Sequence, residues 1–171
     1  MDISLNHFID YTEWERKKWQ EALRRLGEQV LSLTVGPHGD GRFENIGDMV
    51  RHVFTAEKRY VERLTNRPLT DLNAVPNDNL EALFEFGRQS RKEFRRLLET
   101  FPATEWDVQR EFKILTFVVK ASPRKIVMHV LMHEIRHWAQ IGTLLRLNGF
   151  TDSFHDFLTS PVMGGEWSAG R

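Results

Sequence analysis

Residues 122–149 read SPRKIVMHVLMHEIRHWAQIGTLLRLNG. Ser122 followed by Pro123 is a helix start, with a capping side chain and then a proline preset for the first helical position. Gly149 is a good stop. The stretch therefore predicts a helix that continues to Asn148, with one broad apolar face. Along it His129, His133 and His137 stand at i, i+4 and i+8, a stripe that drifts round the helix by about 40° per step. Imidazole is the commonest side-chain ligand for transition metals near neutral pH, and two histidines one turn apart can grip one ion. A lone histidine on a helix is ordinarily solvated or hydrogen-bonded. Three of the chain's seven on one stripe point to a metal.

Three more helical patterns lie upstream. The first runs from about Ser4 to Leu33, where Phe8, Trp19, Leu23, Leu26 and Val30 make one stripe, and ends at the breaker GPHGDG (36–41). The second spans about Asn45 to Thr65, with Asn45 as its cap and Ile46, Met49, Val50, Val53, Tyr60, Val61 and Leu64 as its stripe. The third spans about Asn79 to Thr100, before Pro102. Between it and the last helix, EFKILTFVV (111–119) is rich in β-branched and apolar residues and suits a short hairpin or an irregular connection. The tail, residues 150–171, has three glycines and one proline and is expected to be mostly irregular. Four amphipathic helices with a short insert predict an all-α, four-helix-bundle fold. With 171 residues and no linker, the chain is expected to form a single domain over 1–171.

Composition narrows the functions. Lys plus Arg and Asp plus Glu are 24 each, so no global field attracts nucleic acid. The basic run RQSRKEFRR (88–96) is interrupted and reads as a polar helix face. No apolar run approaches a membrane span, and the acidic N-terminus lacks a signal core, so a cytoplasmic protein without membrane contact is expected. The absence of cysteine excludes disulfides and thiolate ligands. A metal site must then come from His, Asp and Glu, which suits one divalent Zn, Ni, Mn or Fe ion.

Bundles build such sites from facing helices. His52, in the middle of the second helix, is the remaining histidine in a helical, partly apolar stretch. It lies at the edge of its stripe, with Glu57 nearer the centre. His52, His133 and His137 would give three nitrogens with open positions for catalysis. His129 has rotated toward the edge of the apolar face and is assigned to the surroundings of the ligands. Gln140 continues the stripe and could orient a ligand or touch substrate. Glu57 and Glu134 are the candidate bases; each also reads as a helix acid paired with an arginine or lysine. HEIRH (133–137) formally matches the metallopeptidase signature H-E-x-x-H. No further histidine follows at the long form's spacing, and Glu166 in the tail would be the remaining acid.

The chain resembles the DinB/YfiT-like family. HFIDYTEWERKKWQEALRRL (7–26), RFENIGDMVRHVFTAEKRYVERL (42–64) and HVLMHEIRHWAQIGTLLRLNGF (129–150) carry the resemblance. Transferred residue by residue, the family's three metal histidines fall on His52, His133 and His137. Where family members often have His-Arg-Gly-Gln, this chain has His137, Trp138, Ala139 and Gln140, a change that bears on substrate contacts. The resemblance implies a bundle with one long crossover, a bound divalent metal and often a homodimer. Its characterised members include enzymes using low-molecular-weight thiols, which implies a small-molecule substrate and thiol transfer or hydrolysis. The alternative is a non-catalytic, metal-binding stress protein. Leu5, Tyr11 and Trp14 outside the first helix's stripe, with Trp138 at the margin of the last, are candidates for a subunit interface or for cover by the tail.

Overall fold

The computed structural model of the chain describes residues 3–39, 41–114, 116–151, 156–164 and 168. Four helices dominate: α1 (Leu5–Leu26), α2 (Ile46–Leu64), α3 (Leu80–Thr100) and α4 (Pro123–Leu147). A two-stranded antiparallel sheet, β1 (Arg110–Ile114) and β2 (Phe117–Ala121), sits between α3 and α4 in sequence. The structure is thus mostly helical with a small two-stranded sheet where an all-α fold was expected, and the hairpin option is realised for 111–119.

Local chemistry sets the helix ends. Asn45, Asn79 and Ser122 accept hydrogen bonds from the backbone N–H of Asp48, Ala82 and Lys125, each satisfying a first-turn donor. Ser4 begins α1, and the His7 imidazole reaches back to accept from the Ser4 N–H at 3.2 Å. α1 stops at Leu26, short of the expected Leu33. Gly27 takes φ +90°, which a helix cannot continue, and residues 28–32 tighten into a 3₁₀ turn. Val30 and Leu31 on that turn are still buried, so the apolar stripe outlasts the helix.

α2 packs on α3 and α4, and α1 closes the ring against the same two helices. The core falls into two parts. One holds Trp19 and Leu23 of α1, Met49 to Phe54 of α2, Leu80 to Phe84 of α3 and Trp138 to Leu145 of α4. The other holds Ile9, Val61 and Leu64, Phe94 and Leu97, and Ile126 to Leu131, with Phe112 and Ala121 of the sheet. α2 and α3 therefore both run from the first part to the second, and α1 and α4 run the other way. Residues 65–79 must cross the full height between α2 and α3. No helix among the described residues is long and apolar enough to cross a membrane.

Two aromatic placements differ from expectation. Trp138 is fully buried, not marginal: it stacks on Trp19 at 5.4 Å and lies near-parallel to Phe84 at 6.1 Å. It fills the space where α4 meets α1 and α3, so it makes no substrate contact and offers no subunit surface. Tyr11 is buried and meets Phe157 edge-on at 5.2 Å, so part of the extra aromatic set on α1 is covered by the tail within the chain.

Candidate metal centre

His52 on α2 faces His133 and His137 on α4 across the seam between the two helices. His133 Nε2 lies 3.0 Å from His52 Nε2 and 3.1 Å from His137 Nε2. The rings cross steeply, at 63° for His52 and His133 and 89° for His52 and His137, so three nitrogens converge from different directions. A neutral imidazole offers one in-plane N–H or one lone pair at Nε2. His133 cannot satisfy both neighbours with it, whereas a shared cation serves all three. Two nitrogens about 2.1 Å from one ion at 90–110° are themselves roughly 3.0–3.4 Å apart. The ligand atoms of the three histidines, all within 4.8 Å of one another, fit that spacing.

The electrostatics suit ligation as well. Burial, then the His137 and Arg42 charges, push His52 down to about 3. Burial, then His137 and His52, push His133 down to about 2. Both rings are neutral at physiological pH, with lone pairs available. Phe43 packs on His52 at 4.9 Å and on His137 at 5.9 Å, shielding one side. Beside His52 opens a cleft of 390 Å³ whose walls include Phe43, Asp48, Arg51, Thr55 and Asn77. Asp48 orders this wall by accepting from Arg51 at 2.8 Å and Asn77 at 2.7 Å.

The DinB family model matches residues 1–166. The chain belongs to the DinB family. A crystal structure of a DinB-like protein from Bacillus cereus is similar in fold, with TM-score 0.63 and 20% identity over 90% of this chain and 99% of that one. No curated protein matches the chain significantly.

In this DinB-family protein the two carboxylates considered as bases occupy a buried layer behind the histidines. Each helix contributes one charge: Arg16, Glu57, Arg91 and Glu134. Glu57 accepts from Arg16 at 3.2 and 3.0 Å and from Arg91 at 2.8 Å. Glu134 accepts from Arg16 at 2.5 and 2.7 Å, from Arg91 at 2.7 Å and from the Trp138 indole at 3.1 Å. Burial would raise the Glu134 carboxyl, but Arg16 and Arg91 outweigh it and hold it below the usual carboxylate range. All four carboxylate oxygens are thus engaged, the ion-paired arrangement that the sequence also allowed. Two charges of each sign leave the layer neutral, and it separates the two apolar parts of the core.

The other predicted positions fall around this centre. His129 is exposed and outside the three-nitrogen cluster; its Nε2 lies 3.3 Å from the Tyr60 hydroxyl and its ring 5.3 Å from that of His133. Gln140 is half-buried on α4, and its Oε1 has no hydrogen-bond partner among the described residues. His7 caps α1, His38 lies in a short turn of residues 36–38, and His155 and Glu166 fall outside the described residues. Sequence reasoning missed Arg16 and Arg91. The available signal was weak: each is a charge on an otherwise buried helix face.

Proposed function

We propose that the chain is a metal-dependent enzyme acting on a small molecule, with one divalent ion held by His52, His133 and His137. The convergence of three Nε2 atoms on one point carries the reading. A bound divalent ion would lower the pKa of water or of a thiol, making it nucleophilic near neutrality. The chain has no cysteine, so a thiol must come from outside, and a low-molecular-weight thiol adding to an electrophile is the reaction we favour over hydrolysis. The chain's residues supply the setting. His52 and His133 stay neutral, Phe43 excludes water from one side, and the 390 Å³ cleft admits a small substrate beside His52. Arg16 and Arg91 tie Glu57 of α2 to Glu134 of α4 and so fix the two helices that carry the ligands. With both carboxylates held by guanidinium groups, the proton released from the thiol leaves through the cleft to solvent.

The same placement counts against the peptidase reading of HEIRH. A metallopeptidase needs its glutamate beside the nucleophilic water. Glu134 accepts from Arg16, Arg91 and Trp138, and the third histidine comes from α2. We read the helical body as a four-helix bundle with a long crossover at 65–79, working as a homodimer; a light-scattering mass near 20.1 kDa would overturn the dimer.

The experiment is element analysis of untagged protein supplied with Zn, Ni or Mn, followed by turnover with low-molecular-weight thiols and electrophiles. One metal per chain and thiol-dependent turnover lost in His133→Ala are expected. No stoichiometric metal would refute the site. Metal without turnover would leave a metal-binding protein that is not an enzyme.

A further inference from the structure

The cleft beside His52 also holds an arginine. Arg42 lines it together with His52 and Phe43, and is exposed. Its Cζ lies over the Phe43 ring, 5.1 Å from the centroid, and that centroid is 4.9 Å from the His52 ring. These two steps place the guanidinium carbon within about 10 Å of the His52 ring. The backbone that carries it is tied down. The Arg42 N–H donates to the Gly39 carbonyl at 3.0 Å, and the Val35 N–H to the Glu44 carbonyl at 3.1 Å. The Glu44 N–H in turn donates to Asp48 in the first turn of α2 at 3.1 Å. After burial and the neighbouring imidazoles, Arg42 is the remaining influence that pushes His52 and His133 down.

The charges of the cleft favour an anion. Its walls carry Arg42 and Arg51 against Glu44 and Asp48. Asp48 and Arg51 neutralise each other at 2.8 Å, and the Asp48 oxygens are filled further by Asn77 and the Glu44 N–H. Arg42 and Glu44 balance as well, so a divalent ion on three neutral histidines would leave the cleft positive. Resting on the metal-dependent reading above, we propose that Arg42 selects the cosubstrate. It binds a carboxylate on the low-molecular-weight thiol whose sulfur reaches the ion at His52, His133 and His137. A guanidinium fork matches a carboxylate with two parallel hydrogen bonds. One guanidinium beside Glu44 suits a singly charged carboxylate better than a doubly charged phosphate. A small thiol acid spans the distance between Arg42 and His52, and the 390 Å³ of the cleft holds it.

The test titrates 3-mercaptopropionate and 3-mercaptopropionamide, alike in length and different in charge, onto the full chain loaded with nickel. Binding is followed through thiolate-to-nickel absorption, without turnover. The parent binds the acid about tenfold more tightly than the amide, as one charge-assisted fork should allow. Arg42→Gln loses that preference while element analysis finds its nickel unchanged. Arg42→Lys keeps part of it, because the charge remains and the fork does not. A nickel-loaded parent that binds the two thiols alike, or neither, would overturn the role of Arg42 and leave the metal site standing. So would a preference that survives in Arg42→Gln, since the carboxylate would then sit on the ion itself. Loss of nickel from Arg42→Gln would also overturn it, by making Arg42 a support of the ligands. A parent that takes up no nickel, zinc or manganese would overturn the metal-dependent reading and this inference with it.

Discussion

Arg16 of α1 grips Glu134 of α4 with two parallel hydrogen bonds, Nε to Oε1 at 2.5 Å and Nη2 to Oε2 at 2.7 Å, and both residues are buried. The same guanidinium also holds Glu57 of α2 and the Gly87 carbonyl of α3 at 3.0 Å, so one side chain joins all four helices. Removing one partner from a buried pair leaves a charge without compensation and costs about 3–5 kcal/mol. Arg16→Met should therefore lower the unfolding free energy by that order in urea titration. It should also weaken metal binding, because α2 and α4 lose one of their two guanidinium ties and keep only that through Arg91. A double variant, Arg16→Met with Glu134→Leu, should recover part of the stability, since no charge is then stranded. A single variant as stable as the parent would show that the layer does not hold the helices.

The three ligand positions should behave alike and differently from the rest. His52→Ala, His133→Ala and His137→Ala are each expected to abolish stoichiometric metal binding, measured by element analysis and chelator competition. His129→Ala should cost far less, because its Nε2 is on Tyr60 and not in the cluster. His7→Ala should leave metal unchanged while loosening the start of α1, where His7 accepts from Ser4. Equal losses at His129 and His137 would overturn the ligand assignment.

Much of this was legible in the sequence for a physical reason. Helix ends are set by single residues, and Asn45, Asn79 and Ser122 cap as their chemistry dictates. The triad was legible because histidine spacing on a helix fixes facing. Trp138 was misread because a single stripe assumes one buried side. α4 buries Trp138 against α1 and α3 while presenting His133 and His137 toward α2. Arg16 and Arg91 were illegible because a charged residue on a helix reads as solvated unless its partners on other helices are known. Gly27 ended α1 early through its backbone angle, which periodicity in Val30 does not register.

Gly87 marks a close approach of α3 to the Phe54 ring of α2. A Cβ added there would lie 2.7 to 2.9 Å from three carbons of the Phe54 ring, which is fully buried. Neither the ring nor the helix can yield without disturbing Arg16, which donates to the Gly87 carbonyl. Gly87→Ala should therefore destabilise by about 1–3 kcal/mol despite alanine's better helix propensity. Thermal melts of this variant beside Gly149→Ala, where space is open but φ is +79°, separate crowding from backbone strain. A Gly87→Ala protein as stable as the parent would mean that α2 and α3 pack less closely here.

Glu15 gives the fold a pH dependence of its own. It is buried on α1 beside Tyr11, Trp19 and Glu134, and its Oε2 has no hydrogen-bond partner among the described residues. Burial, then the Glu134 charge, push its carboxyl up to about 8 from 4.5, and the Trp19 indole offsets only part of this. The folded state thus holds a proton that the unfolded state releases above pH 4.5. The contribution of Glu15 is complete below that pH and is lost as pH rises through 8. Glu15→Gln keeps the protonated group's shape without the titration. Compared with the parent, it should be of similar stability near pH 4.5 and more stable at pH 8, by a few kcal/mol in order of magnitude. Urea midpoints of both proteins at the two pH values measure the difference. A gap that does not widen with pH would show that Glu15 is ionised in the folded chain.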